Sequence, residues 1–275
     1  MPRRLFAATP SKLAAFTDCP RRYRHAYLDR PTPPKGPAWA HNSVGSAVHA
    51  ALRSWWDLPA RGRTAGAARQ LLYGVWSTAG FRDAEQADRW RARAAEWITD
   101  YVTGADADDE PVGLERQVAA TTDRLALSGR VDRIDQRGEE LVVVDYKTGR
   151  VPSTEEEARG STALAAYVLG VRRTLRRPCR RVELHHLPSR TVAVFEHTDR
   201  SLANHVRRAE DTADDIERAG AALQAGTSPD EAFPAVPGRQ CGWCDFRSSC
   251  APGRAAGPAP ATWSFLAEES DPATP

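Results

Sequence analysis

The stretch Gly129-Arg130-Val131-Asp132-Arg133-Ile134-Asp135-Gln136-Arg137-Gly138-Glu139-Glu140-Leu141-Val142-Val143-Val144-Asp145-Tyr146-Lys147 decides how this chain is read. Residues 124–135 alternate apolar and polar side chains, the period of a half-buried strand. Residues 136–140 are polar and include a glycine, a turn composition. The run 141–146 is short, β-branched and apolar, as in a strand covered on both faces. A hairpin is expected. Side chains two apart on a strand share a face, so Asp145 and Lys147 project into one site and Asp132 approaches from the neighbouring strand. Two carboxylates on rigid strands are hard oxygen ligands for Mg2+ or Mn2+. An ion held there polarises a phosphodiester and acidifies a bound water. A lysine beside it can orient that water or meet the charge developing on phosphorus. The competing reading is a polar hairpin rim with Asp132 paired to Arg130 or Arg133.

Outward from the hairpin, residues 112–120 read as a preceding strand. Residues 155–173 read as a helix weakened by Gly160, 181–187 and 191–197 as further strands, and 201–224 as a long helix. Upstream, Ser11 is a candidate N-cap for a helical run over 12–28 that Pro20 divides. A Pro/Gly-rich loop spans 31–37, helices are expected at 43–57, 64–79 and 83–102, and 104–110 is an acidic loop. The expected architecture is a mixed α/β domain with a helical insertion near its start. It comprises a single unit over 1–250, with the helical part over 38–104, the core over 112–224 and a cysteine segment at 241–250. The Pro-, Ala- and Gly-rich residues 251–275 are expected to form a mobile tail.

The chain has 275 residues and a formal net charge of only +2, which argues against a general polycation. Arginine is locally dense at Arg21, Arg22 and Arg24 and again at Arg172, Arg173, Arg176, Arg177, Arg180 and Arg181, clusters that suit phosphate contact or an ordinary solvated face. Of its 38 basic residues only Lys12, Lys35 and Lys147 are lysines. One of the three thus sits in the Asp-Tyr-Lys segment, where a compact, tunable ammonium does what a guanidinium cannot. No signal-like or membrane-spanning stretch is evident, so a cytoplasmic location without membrane contact is expected.

In the cytosol, cysteines are more often metal-binding or free than bridged. Cys241, Cys244 and Cys250 follow a C-x2-C-x5-C spacing, and Cys19 stands far upstream before Pro20. Four thiolates hold either a [4Fe–4S] cluster or a tetrahedral zinc. One short pair with one near and one distant cysteine favours the cluster, and either centre would staple the two ends of the chain. Cys179 is expected to be a free core cysteine. His49, within Gly45-Ser46-Ala47-Val48-His49, reads as a buried core histidine or as a third metal ligand.

Taken in order, Ser11-Lys12-Leu13, Cys19-Pro20-Arg21-Arg22-Tyr23, Gly45-Ser46-Ala47-Val48-His49, Gly129-Arg130-Val131-Asp132-Arg133-Ile134-Asp135, Val144-Asp145-Tyr146-Lys147-Thr148-Gly149 and the three terminal cysteines resemble the RecB-type branch of the PD-(D/E)XK nuclease superfamily. The resemblance runs from residue 11 to 250. It extends to AddB-type nuclease domains and to iron–sulfur nucleases of CRISPR adaptation. It implies a restriction-endonuclease-like mixed sheet and a divalent ion held by His49, Asp132, Asp145 and the Tyr146 carbonyl, with Lys147 as catalytic lysine. It further implies a [4Fe–4S] cluster on Cys19, Cys241, Cys244 and Cys250.

The implied activity is metal-dependent hydrolysis of DNA, as an exonuclease on single strands or ends in repair or recombination. Tyr167 and Arg22 are candidate nucleic-acid contacts. One departure stands out: the family's glutamine four residues before Tyr167 is replaced by Ala163. A DNA-binding module with weakened cleavage, acting beside a helicase, is therefore the alternative. The chain carries no Walker-type phosphate loop of its own, so any helicase would be a partner.

Overall fold

The computed structural model describes residues 4–267. In chain order it runs β1 (Phe6–Ala8), α1 (Pro10–Asp18), α2 (Pro20–Tyr27), α3 (Ala40–Trp56), α4 (Ala65–Gly74), α5 (Ala84–Thr103), β2 (Gly113–Thr121), β3 (Leu125–Arg137), β4 (Glu140–Lys147), α6 (Glu155–Gly160), α7 (Thr162–Leu175), β5 (Cys179–His186), β6 (Thr191–Glu196), α8 (Asp199–Gln224), α9 (Pro229–Ala232) and α10 (Ala251–Ala255), with short 3-10 turns between them. The mixed α/β expectation holds, and the central sheet is consistent with a restriction-endonuclease-like fold.

Local chemistry explains most boundaries. Pro20 ends the first helical run, and Cys19, extended at φ −167°, caps α1 and starts α2. The N-cap of α1 is Thr9 rather than the expected Ser11, its side chain accepting from the Lys12 N–H. Ser161, accepting from Leu164 N–H, divides the expected helix over 155–173 into α6 and α7. Gly138, at φ +61°, turns the hairpin in fewer residues than expected, so both strands run further into it. The three-residue β1 carries too few side chains for a periodicity reading.

Six strands form one sheet in the order β1-β3-β4-β5-β6, with β2 on the other edge of β3. β4 and β5 are parallel and joined through α6 and α7, whereas β2–β3, β3–β4 and β5–β6 are antiparallel. The β4 run is buried on both faces. Val142, Val144 and Tyr146 join a core with α3, α4 and α5, while Leu141 and Val143 join one with α7, β5 and α8. A third core packs α1 and α2 against the start of β3 and the far half of α8.

The sheet opens at one place. One edge of β3 pairs with β1 at 125–127 and with β4 at 133–137, so residues 128–132 lack a strand partner there. β4 continues beyond that point on β5 alone, with Asp145 opposite Leu184 and Lys147 opposite His186. Tyr146 N–H, freed from the ladder, donates instead to Asp132 Oδ2 at 3.0 Å.

Residues 251–267, expected to begin a mobile tail, are built into the molecule. Leu266 lies in the α3–α5 core, its carbonyl accepting from Trp90 Nε1 at 3.1 Å, and Thr262 accepts from Ala40 N–H at 3.1 Å. Apolar side chains among the prolines provide that docking; the rest of the expected tail lies outside the described residues.

Candidate active site and cysteine cavity

The fork between β3 and β4 opens into a cleft of about 1230 Å³ lined by α3, β2, β3, the residues after Lys147, and Tyr167. α3 buries Val44, Ala47, Val48, Ala51, Leu52, Trp55 and Trp56 at helical spacing, which turns His49 toward the fork. Its small residues let it come close: a Cβ on Gly45 would stand 3.2 Å from Thr148 Oγ1.

His49, Asp132 and the Tyr146 carbonyl meet here, and Asp145 pairs with Lys147 nearby, outside the group of ligand atoms that lie within 4.8 Å of one another. His49 Nδ1 lies 3.3 Å from Asp132 Oδ2, and its Nε2 lies 3.1 Å from the Tyr146 carbonyl oxygen. Lys147 Nζ is 2.7 Å from Asp145 Oδ2. That oxygen is buried and still lacks a well-aligned hydrogen-bond donor. The polar-rim reading fails, because Arg130 pairs with Glu115 at 2.8 Å and Arg133 with Asp135 at 2.6 Å, leaving Asp132 to the cleft.

The charges of the group act on one another. Burial raises the Asp145 carboxyl and the nearby Asp132 adds to this, against the pull of Lys147. Burial opposes charge on His49 and on Lys147, yet the facing carboxylates outweigh it and raise both. Such a concentration of negative charge on oxygen ligands calls for a cation.

Glu115 was not foreseen. Its backbone adopts φ +45°, out of the ladder between Leu114 and Arg116. That left-handed kink aims its carboxylate into the cleft. Ligand atoms of His49, Glu115 and Asp132 all lie within 4.8 Å of one another. A Glu inside an otherwise alternating strand gives no signal in the sequence; only the backbone conformation distinguishes it.

Tyr167 lines the same cleft, its ring lying against Gly129, where a Cβ would be 2.5 Å from Tyr167 Cε1. Burial, with the charges of Asp145 and Asp132, pushes its hydroxyl up to about 12. Ala163 opens α7 but is not part of the cleft wall. Arg22 is elsewhere, paired with Asp18 at 3.2 Å on the wall of the cysteine cavity. The later arginine cluster is largely engaged within the fold, Arg172 with Asp199, Arg180 with Glu140 and Arg181 with Glu183.

Cys19, Cys241, Cys244 and Cys250 line one cavity. A Cβ on Gly253 would lie 3.3 Å from Cys250 Sγ and 3.9 Å from Cys241 Sγ. Burial raises the Cys244 thiol, and the nearby Cys19 and Cys241 add to the rise. Val236 N–H points at Cys19 Sγ from 3.4 Å, a donor that suits a thiolate. Among the described residues, however, no three of these sulfurs come within 4.8 Å of one another, so the expected closed four-cysteine centre is not formed. Thiols attract one another only weakly, and nothing in the chain alone draws them together. Cys179 is buried and free as expected, its thiol pushed up to about 12 by burial. No helix among the described residues is long and apolar enough to cross a membrane.

No curated protein matches the chain. Among solved structures, a candidate exonuclease from Eubacterium rectale is 13% identical over 80% of this chain and 82% of its own, with a TM-score of 0.44. The protein SSO0001 is 15% identical over 90% and 87%, with a TM-score of 0.38. The family description that matches, over residues 7–251, is that of the PD-(D/E)XK nuclease superfamily. With a match that spans most of its length, the chain belongs to the PD-(D/E)XK nuclease superfamily.

Proposed function

We propose that the protein is a divalent-metal-dependent DNA nuclease of the RecB-type branch, working at the β3–β4 fork, with exonuclease action on single strands or ends in repair or recombination. The observation that carries this reading is His49 set between Asp132 and the Tyr146 carbonyl on a cleft open to solvent, with the Asp145–Lys147 pair close enough for its charge to act on His49 and Asp132. The donor set fits Mg2+ or Mn2+: carboxylates, a carbonyl and one imidazole. His49, Asp132, Asp145 and the Tyr146 carbonyl would hold the ion, with Glu115 near enough to serve directly or through water. When bound, the ion supplies polarisation of the phosphodiester and a more acidic water.

The chain's own groups do the rest. Asp145 holds the Lys147 ammonium at 2.7 Å, facing the position where a scissile phosphate would lie. The ammonium can orient a water and offset charge growing on phosphorus. Tyr167 offers a ring face and a protonated hydroxyl to the strand.

We further infer that the four cysteines receive a [4Fe–4S] cluster. A tetrahedral zinc, with bonds of about 2.3 Å, would draw all four sulfurs to within about 4 Å. The wider spread of these sulfurs suits a larger guest. Nothing in the surroundings calls for electron transfer, so its role is structural, holding the ends of the chain together.

The test is cleavage of end-labelled single- and double-stranded DNA by anaerobically purified protein with Mg2+ or Mn2+. Metal-dependent products that vanish in Asp145→Ala are expected. An Asp145→Ala protein that cuts as well as the parent would overturn the assignment. Metal binding without cleavage under either ion would favour a DNA-binding subunit acting beside a separate helicase, as the replacement by Ala163 suggests.

A further inference from the structure

Arg130 leaves β3 on the same face as Asp132, two residues further on, and lines the active-site cleft. It is one of two arginines in that wall. The other, Arg53, pairs along α3 with Asp57, which is not part of the wall. Arg130 instead pairs with Glu115, Nε to Oε2 at 2.8 Å. The same Glu115 carboxylate has a ligand oxygen within 4.8 Å of ligand atoms of His49 and Asp132. Its left-handed backbone, at φ +45°, takes it out of the ladder and sets it between the arginine and the ion site.

The two claims on this carboxylate are unequal. The Arg130 side chain is 64% exposed, and an ion pair with one partner so open to water stabilises little. A divalent ion is a more concentrated charge than a guanidinium, and carboxylate oxygens coordinate it directly. Glu115 therefore turns from Arg130 to an ion held by His49 and Asp132. The guanidinium so released stands in solvent on the cleft wall. Its fork of N–H donors matches a phosphate as well as it matches a carboxylate.

We propose that Glu115 switches between Arg130 and the ion, and that Arg130, once released, binds a backbone phosphate of the DNA strand. Metal loading and DNA binding are then coupled through one carboxylate, each favouring the other. Without the ion, Glu115 holds Arg130 away from the strand and sets its own charge against the phosphates. The proposal rests on the metal-dependent nuclease reading, since the ion site is the one proposed at the fork. It adds a phosphate-binding residue and a reason for DNA binding to follow metal loading.

The test is the anisotropy of a fluorescein-labelled single-stranded oligonucleotide at low salt, in EDTA and in Ca2+. The proteins are the parent, Arg130→Gln, Arg130→Lys, Glu115→Gln and the double variant Glu115→Gln/Arg130→Gln. Arg130→Gln should weaken binding about tenfold in Ca2+, the loss of one charge-assisted phosphate contact, and less than about twofold in EDTA. In the Glu115→Gln background the same substitution should weaken binding equally with and without Ca2+, because nothing holds the arginine back. Arg130→Lys, which retains a cation, should recover most of the loss in Ca2+. Read by electron paramagnetic resonance without DNA, Arg130→Gln should tighten Mn2+ binding, and should not do so once Glu115 is replaced.

An Arg130→Gln loss that is equal in EDTA and in Ca2+, or absent from both, would overturn the switch. If metal-dependent cleavage persists in that protein, the nuclease reading stands. A parent protein that neither binds Mn2+ nor cuts DNA would overturn both. Arg130 is exposed and Gln has the shape of Glu, so both variants keep the fold. Should Glu115→Gln nevertheless melt early, the contrast between EDTA and Ca2+ in Arg130→Gln decides alone.

Discussion

At the scale of single residues, the site depends on close approaches that leave no slack. Gly129 gives its absent side chain to the Tyr167 ring, and an added methyl would stand 2.5 Å from a ring carbon. Gly129→Ala should therefore destabilise the protein by about 1–3 kcal/mol in urea unfolding, as overpacked sites do. Adding Tyr167→Ala should recover much of that loss if the ring is the cause. His49 and Asp132 were legible because a small-residue helix and a Gly-Arg-Val-Asp strand are distinctive in order and composition. Glu115 was not, because its role comes from one left-handed backbone angle that residue type does not announce.

At the scale of elements, the fork is the organising feature, and a buried polar knot closes it from behind. Arg133 Nη1 donates to the hydroxyls of Tyr101 and Tyr146 at 3.3 Å each, and Nη2 donates to Asp135 at 2.6 Å. Trp56 Nε1 donates to the Tyr146 hydroxyl at 3.2 Å, and Tyr101 meets His185, which meets Glu183. The knot joins α3, α5, β3, β4 and β5, and it anchors the residue whose carbonyl faces His49. Arg133→Ala leaves Asp135 with Arg137 as its ion-pair partner, so a loss of about 3 kcal/mol is expected, at the lower end for breaking a buried pair. Chemical denaturation measures it; a change below about 0.5 kcal/mol would show the knot to be incidental. The hairpin was readable from alternation and a glycine turn. The fork was not, because it arises where β1 and β4 share one edge of β3, and pairing partners distant in sequence leave no mark on local pattern.

At the scale of the molecule, the two ends meet through protein contacts as well as cysteines. Asp230 pairs with Arg21 and Arg24, and Tyr23 stacks on Phe233 at 6.2 Å. On the proposed cluster, Cys250→Ala should give a colourless protein of reduced thermal stability, since a bound centre would add to these contacts. Unchanged stability in a variant that has lost the colour would refute the stapling role.

The far side of the sheet supplies a pH signature. His197 is buried with Nε2 unpartnered, and burial, aided by His205 and Arg172, pushes its imidazole down to about 4. Above pH 6.5 the ring is neutral in both folded and unfolded chains and contributes no pH dependence. As pH falls from about 6.5 toward 4, only the unfolded chain takes up the proton, so native stability declines by up to roughly 3 kcal/mol. His197→Gln should flatten that part of the stability–pH curve; equal slopes for the two proteins would contradict it. The docking of residues 251–267 was hidden by a proline-rich composition that resembles a tail.

The central claim is that one ammonium, Lys147, acts within a metal-loaded fork. The most direct measurement is the initial rate of single-strand cleavage in Mg2+ by the parent and by Lys147→Ala, each checked for bound Mn2+ by electron paramagnetic resonance. The account predicts that Lys147→Ala keeps the Mn2+ signal and loses cleavage by at least about a hundredfold. Cleavage at the parental rate in that variant would contradict it.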